Sequence, residues 1–220
     1  MIFYFTATGN SLYAAKQLDE TRISIAQAIH DKKMHYQAEQ IGIVCPVFGH
    51  EVPELVREFL EAAVFETPYF YMILTYGNRH GGAAELAEQM LQKYGICASY
   101  INVLLMADNF LPAFDMNEQR AIDKKVEEQL ETIREDIKNR RQYIAPVTDA
   151  DRAAHREYLR EERGCRRMHF PNCTGLRTIV SAVRSAPGCV RRTVLPWRIR
   201  GACGIRAAAL PVWHAFTRVR

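Results

Sequence analysis

Three short, almost uninterrupted runs of apolar residues constrain the fold of this chain more than any other feature. They are Met1–Phe5 (MIFYF), Ile41–Pro46 (IGIVCP) and Tyr69–Thr75 (YFYMILT), and each is followed by a polar loop and an amphipathic segment. A strand with one face in water alternates apolar and polar residues, so continuous apolar runs are typical of strands buried on both faces. The pattern predicts an α/β fold, a doubly wound parallel sheet with helices on both sides.

The segments between the runs supply the helices. Apolar residues three or four positions apart predict them at Asn10–Leu18, Pro53–Ala63, Ala83–Tyr94 and, as one long charged helix, Asn117–Arg141. Cys97–Leu105 is predicted to be a further strand. Ile23–Ile29 fits a short strand or part of a helix, and the sequence leaves both open. The end of the first domain is predicted within Ile144–Asp149.

Composition excludes two classes of protein. An apolar fraction of 48% is enough for a real core, so wholesale disorder is excluded. No stretch approaches the roughly 20 apolar residues that span a bilayer, and the first residues lack the basic region of a signal peptide. The expectation is therefore a cytoplasmic protein without a membrane partner.

The net charge of +4 averages two unlike parts. Residues 1–162 contain all 25 acidic residues and 17 of the 29 Lys and Arg, whereas residues 163–220 contain 12 Arg and no Lys, Asp or Glu. An Arg-rich arm of this kind is typical of RNA-binding segments. The arm has poor helical and strand periodicity, however, and too little pattern to specify a fold.

The loops that follow the apolar strands are the predicted ligand site, because parallel sheets of this kind bind ligands beyond the carboxyl ends of their strands. The first loop, Thr6–Ser11, combines three hydroxyl residues with a glycine at the start of a helix, where backbone N–H groups attract anions. It contains no Lys or Arg, and neither G-x-x-x-x-G-K-[ST] nor G-x-G-x-x-G is present. These features favour a phosphate monoester that is held and not transferred. The alternative is an ordinary helix cap.

This loop, T-x-T-G-N-[ST] after an N-terminal strand, resembles the FMN phosphate loop of flavodoxins, and the resemblance covers about residues 1–145. It implies a flavodoxin-like, five-stranded sheet that binds FMN. By the resemblance, the ribityl phosphate contacts Thr6, Ala7, Thr8, Gly9, Asn10 and Ser11. The ring contacts come from the next two loops: Pro46, Val47, Phe48, Gly49, Thr75, Tyr76, Gly77 and Asn78.

Within that set the resemblance implies separate roles. Phe48 lies against one face of the isoalloxazine, Tyr76 flanks the ring, and the backbone of Gly77 contacts its N5 edge. A core position is an equal alternative for Phe48. We predict no catalytic residue and no metal ligand. His50 and His80 lie in the same loops and are weaker candidates for contact with flavin or a partner; Cys45 and Cys97 are predicted to be buried, inert thiols.

The C-terminal sequence adds a second resemblance. A flavodoxin domain with a closing helix and a linker looks like the first half of flavodoxin–ferredoxin fusion proteins, whose second half binds two 4Fe-4S clusters through C-x2-C-x2-C-x3-C-P motifs. The approach to such a motif is present at 170–175 (FPNCTG) and is then lost. Cys165, Cys173, Cys189 and Cys203 do not have the spacing of a cluster site.

A frameshift accounts for this loss. If the third base of each codon is read with the first two bases of the next, the segment from Ala208 onward permits four cysteines and a proline in the order C-x2-C-x2-C-x3-C-P. We predict three segments: a flavodoxin-like FMN domain (1–145), a linker with the start of a ferredoxin-like region (146–175), and an out-of-frame tail (176–220). A chain of this kind cannot bind the clusters.

The sequence leaves three functions open. The first is an FMN-binding electron carrier whose partners are ferredoxin-type proteins or reductases. The second is an FMN-dependent NAD(P)H:quinone-type reductase. The third is a flavin-free interaction module that binds RNA or anions through its Arg tail; because the tail pattern is better explained by a frameshift, nucleic acid is a disfavoured partner.

Overall fold

The computed structural model describes residues 1–110 and 114–167, without the side chains of 162–167. In chain order its strands are β1 (Ile2–Tyr4), β2 (Arg22–Ser24), β3 (His35–Gln37), β4 (Ile41–Pro46), β5 (Val64–Glu66), β6 (Phe70–Tyr76), β7 (Tyr100–Leu105) and β8 (Tyr143–Ile144). Its helices are α1 (Asn10–Leu18), α2 (Ile25–His30), α3 (Glu54–Ala62), α4 (Ala83–Lys93), α5 (Met116–Ala121), α6 (Val126–Lys138) and α7 (Asp149–Arg167).

Six strands form one parallel sheet in the order β2-β1-β4-β6-β7-β8. Numbered within this sheet alone, the order is 2-1-3-4-5 with a sixth strand at the edge, and 2-1-3-4-5 is the order of flavodoxin-like sheets. The predicted α/β fold is therefore confirmed. The prediction of five strands omitted the edge strand β8, which has only two residues and hence too short a pattern to recognise.

The sheet is buried on both faces, which explains the continuous apolar runs. Alternate residues of a strand point to opposite faces. On β6, Met72 and Leu74 pack with α3 and α4 on one face, whereas Tyr71 and Ile73 pack with α1 and α6 on the other. All four of these β6 side chains are fully buried.

Several predicted elements need correction. Ile23–Ile29 contains both alternatives, because β2 ends at Ser24 and α2 begins at Ile25. The single helix predicted over Asn117–Arg141 is wrong: α5 ends at Ala121, and Lys125, in the left-handed conformation at φ 49°, precedes α6. The strand predicted from Cys97 begins only at Tyr100. The small parallel pair of β3 and β5 was not predicted.

Helix α7 extends through most of the predicted linker. Its first turns pack beside α4 and the loops at the carboxyl edge of the sheet, as the Arg152–Glu85 ion pair shows. The predicted domain boundary near residue 145 stays a prediction. The ferredoxin-like approach at 170–175 and the out-of-frame segment 176–220 lie outside the described residues.

Candidate functional site

A cavity of about 720 Å³ lies at the carboxyl edge of the sheet. It is next to β1 and β4, where the strand order reverses and where doubly wound sheets bind their ligands. Its walls include 13 of the 14 residues predicted from the sequence, all except Gly9. The structure thus brings the three predicted loops together, while their contact with flavin stays a prediction. A more open cavity of about 590 Å³ beside α5 and α6 contains none of these residues.

The loop at Thr6–Ser11 is shaped by its own hydrogen bonds. Gly9 adopts φ 107°, a left-handed conformation that a side chain disfavours, and its N–H donates to Thr6 Oγ1 at 3.0 Å. The first bond within α1 runs from the Tyr13 N–H to the Gly9 carbonyl at 2.8 Å. The N–H groups of the three residues before Tyr13 therefore have no partner within the helix, and such groups can bind an anion.

Side-chain hydrogen bonds join this loop to the other walls. The buried hydroxyls of Ser11 and Thr75 lie 2.9 Å apart, which leaves one of the two protons available to a ligand. Asn10 Nδ2 donates to the Ala107 carbonyl at 2.9 Å. Thr8 Oγ1 accepts from Asn109 Nδ2, so the Thr8 hydroxyl proton remains free to donate. The polar end of the cavity is preorganised by these bonds.

Aromatic side chains line other parts of the cavity. Phe48 is 50% exposed and edge-on to Phe5 at 6.4 Å between centroids, so the alternative of a core position for Phe48 is wrong. Phe110, on the loop after β7, is 61% exposed. Burial and the charge of Asp151 raise the pKa of the half-buried Tyr76, which therefore keeps its proton at neutral pH. A cavity with exposed aromatic rings and a polar end suits an elongated ligand with a flat apolar ring and an anionic tail.

The cavity wall at Gly77 is stabilised by hydrogen bonds from Lys124. Lys124 Nζ donates to the carbonyl oxygens of Gly77 at 2.7 Å and Met106 at 2.9 Å. Burial lowers the pKa of Lys124, although the nearby Asp108 opposes this. A Cβ on Gly77 would lie 2.5 Å from Asp108 Cα, so the glycine allows the two loops to meet. Any turn of the Gly77 carbonyl would therefore break the hydrogen bond from Lys124.

A cluster of histidines lies at the rim of the cavity. His50 lines the cavity, and its ring centroid is 5.7 Å from that of His155 on α7. Burial lowers the pKa of His50, and the neighbouring His155, Arg79 and His80 lower it further, against the opposing charge of Asp151. His80 Nε2 is 3.9 Å from Asp151, whose pKa is lowered by hydrogen bonds from Thr148. The cluster joins α7 to the loops that were predicted to bind the ligand.

Sequence reasoning missed one wall of the cavity. It consists of the loop after β7 together with Arg79 and a residue of α7: Arg79, Ala107, Asp108, Asn109, Phe110, Phe114 and Tyr158. The loop was predictable, because the carboxyl end of a fifth parallel strand lies at the same edge as the other four. Tyr158 had no such signal, since its approach depends on how α7 packs.

The two cysteines of the sheet region differ from each other. Cys45 is fully buried on β4, and burial raises the pKa of its thiol, as predicted for an inert residue. Cys97 is exposed in the loop before β7, so the prediction of a buried thiol there is wrong. Within the described residues, no three His, Cys, Asp or Glu side chains are arranged to hold a metal ion.

Comparisons with known proteins give distant structural neighbours. No protein-family profile and no curated protein sequence matches the chain. A protein assigned as a flavoprotein from Bacteroides uniformis is 17% identical, with a TM-score of 0.40, over 63% of this chain and 96% of that one. The two-electron reduced flavodoxin of Megasphaera elsdenii is 16% identical, with a TM-score of 0.38, over 49% and 87%.

A third neighbour is a much longer protein. Rubredoxin oxygen:oxidoreductase from Desulfovibrio gigas is 12% identical, with a TM-score of 0.36, over 60% of this chain and 35% of that one. Because all three TM-scores are below 0.5, the assignment of the fold rests on the strand order and not on these neighbours. Among the helices of the described part of the chain, none is both long and apolar enough to cross a bilayer.

Proposed function

We propose that the sheet domain binds FMN and carries electrons between protein partners. The observation that carries the proposal is the convergence of the loops after β1, β4 and β6 on one cavity at the point where the strand order reverses. The volume of about 720 Å³ is within the range of sites that enclose a small cofactor.

The residues present fit the two ends of FMN. The N–H groups at the start of α1, together with the hydroxyls of Thr8 and Ser11, are donors for a phosphate monoester. Phe48 and Tyr76 offer apolar faces for the ring. When bound, FMN supplies the redox chemistry, and the protein positions it and sets its electrostatic environment.

The chain's own groups create that environment. The Lys124 ammonium places a positive charge behind the Gly77 wall, and Arg79 adds another at the cavity. Positive charge near the ring favours electron uptake by the flavin, whereas the Asp108 carboxylate in the same wall opposes it. The balance of these three charges, and not the net charge of the domain, is expected to set the reduction potential.

Carrier and reductase are separated by two assays on the FMN-loaded protein. A carrier that is reduced anaerobically passes electrons rapidly to a one-electron acceptor such as cytochrome c, and shows no steady turnover with NADPH and a quinone. A reductase shows the opposite behaviour. Phe48→Ala serves as a site variant in both assays, with Val64→Ala as the control, because Val64 is similarly exposed on β5 and is not among the cavity-lining residues.

We further propose that this domain is the flavodoxin half of a flavodoxin–ferredoxin fusion whose 4Fe-4S half was lost by a frameshift after about Gly175. The support is sequence alone: the interrupted FPNCTG approach and the cysteine pattern in the alternative frame. Resequencing the gene tests it. An added or missing base near that codon is expected, and an intact reading frame through residue 220 would refute it.

A further inference from the structure

A tyrosine from outside the sheet lines the proposed flavin cavity. Tyr158 belongs to α7, yet it is part of the cavity wall, and its ring centroid is 5.1 Å from that of His50. A Cβ on Gly49 would lie 2.5 Å from the Tyr158 hydroxyl oxygen, so a glycine at this position makes room for the tyrosine. The contact thus depends on both partners.

The start of α7 is fixed against the sheet domain. Arg152 donates to Glu85 Oε2 on α4 through Nε at 2.9 Å and Nη2 at 2.7 Å. A reciprocal cap joins the Thr148 N–H to Asp151 Oδ2 at 3.0 Å and the Asp151 N–H to Thr148 Oγ1 at 3.2 Å. These contacts fix the orientation of the first turns of α7. They thereby set the direction in which the side chain of Tyr158, about two turns further along the same helix, points.

One of the contacts that dock α7 on the sheet domain is exposed to solvent. The side chains of Arg152 and Glu85 are 43% and 34% exposed. Exposed ion pairs of this kind contribute roughly 0–1 kcal/mol each to stability. Tyr158 itself is 38% exposed, so a flat ligand in the cavity would bury more of its ring. A ligand that gains contact with Tyr158 therefore stabilises the docked helix.

We propose that Tyr158 is a ring-contacting residue of the flavin site and that FMN binding and the docking of α7 are coupled. The inference rests on the proposed function, because it assigns a residue to the same site. Coupling between two binding events is reciprocal, so docking of α7 raises the affinity for FMN as much as FMN favours docking.

The test measures FMN affinity in the full chain by quenching of flavin fluorescence. We expect Tyr158→Ala to weaken FMN binding about 3- to 10-fold, the range for loss of one aromatic contact. Tyr158→Phe should restore most of the affinity, because it keeps the ring. Glu157→Ala, the neighbouring exposed position on the same helix, should leave the affinity unchanged.

A second measurement needs no variant. Trypsin cleavage at Arg152, Arg156 and Arg160 is followed by mass spectrometry with and without FMN, and slower cleavage with FMN is expected. If the wild-type chain does not bind FMN, the proposed function itself fails. If it binds FMN, but Tyr158→Ala binds equally well and FMN leaves cleavage unchanged, the function stands and this inference is wrong.

Discussion

The Lys124 ammonium nitrogen lies 2.7 Å from the carbonyl oxygen of Gly77, the glycine that follows β6. The same nitrogen donates to the Met106 carbonyl at 2.9 Å and to Gln119 Oε1 at 2.9 Å. One cation thus joins the loops after β6 and β7 to α5. It holds together the wall that faces the proposed flavin ring.

Replacing Lys124 by methionine keeps the length of the side chain and removes its charge. Because hydrogen bonds to charged groups contribute about 1.5–3 kcal/mol, we expect the free energy of unfolding in urea to fall by roughly this amount. In the FMN-loaded variant the reduction potential should fall as well, because the positive charge behind Gly77 is gone. Lys125→Met is the control, since within the described residues its ammonium pairs only with Glu128, an exposed residue, at 3.4 Å. Equal effects of the two variants would contradict the role of Lys124.

The phosphate loop is tested by Thr8→Val, which removes one hydroxyl and keeps the branched shape. Thr8 is exposed, so the variant should fold normally. We expect FMN affinity to fall about 10-fold or more, the effect of losing one hydrogen bond to a charged group. Riboflavin has no phosphate, and its affinity should not change. A parallel loss for both ligands would mean that the loop does not hold the phosphate.

The partly buried His50 predicts a pH dependence of stability. Its pKa in the folded chain lies below the ordinary value of 6.5, so near pH 6 the unfolded chain binds more protons than the folded chain. The contribution of His50 to stability is therefore fully present above pH 6.5 and is lost as the pH falls towards the folded pKa of His50. Urea unfolding at pH 7.5 and 5.5 measures the decline.

Two variants isolate the contribution of His50 to that decline. His50→Asn should reduce it, because the titrating group is lost while asparagine tolerates the left-handed conformation at φ 69°. His30→Asn serves as the comparison, because it removes a histidine whose side chain is 81% exposed and lies far from the cavity in sequence. An unaltered decline in His50→Asn would exclude His50 as its source.

Tyr100 joins β7 to α6 through a buried hydroxyl. That hydroxyl donates to Asp136 Oδ2 at 3.0 Å and accepts from Asn102 Nδ2 at 2.7 Å. Tyr100→Phe should lower the free energy of unfolding by about 1–3 kcal/mol, because Asp136 and Asn102 would keep their polar groups but lose their hydrogen-bond partner. Tyr4→Phe on β1 is the control, as no hydrogen bond of its hydroxyl is found within the described residues. Equal stabilities of the two variants would argue against this packing of α6.

The parts of the fold that the sequence predicted well are those in which local pattern and burial agree. The strands at Ile41–Pro46 and Phe70–Tyr76 are apolar because helices cover both faces of the sheet, and strands covered in this way lose the alternation of apolar and polar residues. The loops at their carboxyl ends follow from the parallel arrangement. The predicted residues therefore meet at one cavity because of where their loops lie in the sheet, and not because of the type of any single residue.

The misses have physical causes as well. The break before α6 depends on the left-handed conformation of Lys125. A lysine in a charged segment is an ordinary helix residue, so the sequence carries no signal for this break. Tyr158 reaches the cavity because Arg152 and the Thr148 cap orient α7, and both are long-range or context-dependent effects. Cys97 precedes its strand by three residues, within the usual error of strand ends.

The most direct test of the flavin site is the visible spectrum of the purified full chain after incubation with FMN and removal of the excess. The account predicts a yellow protein that releases a single FMN per chain on denaturation, and that contains no iron or acid-labile sulfide. A protein that stays colourless would contradict the central claim, and would make the Arg-rich tail the first place to look for function. A brown, iron-containing protein would instead refute the loss of the cluster-binding half.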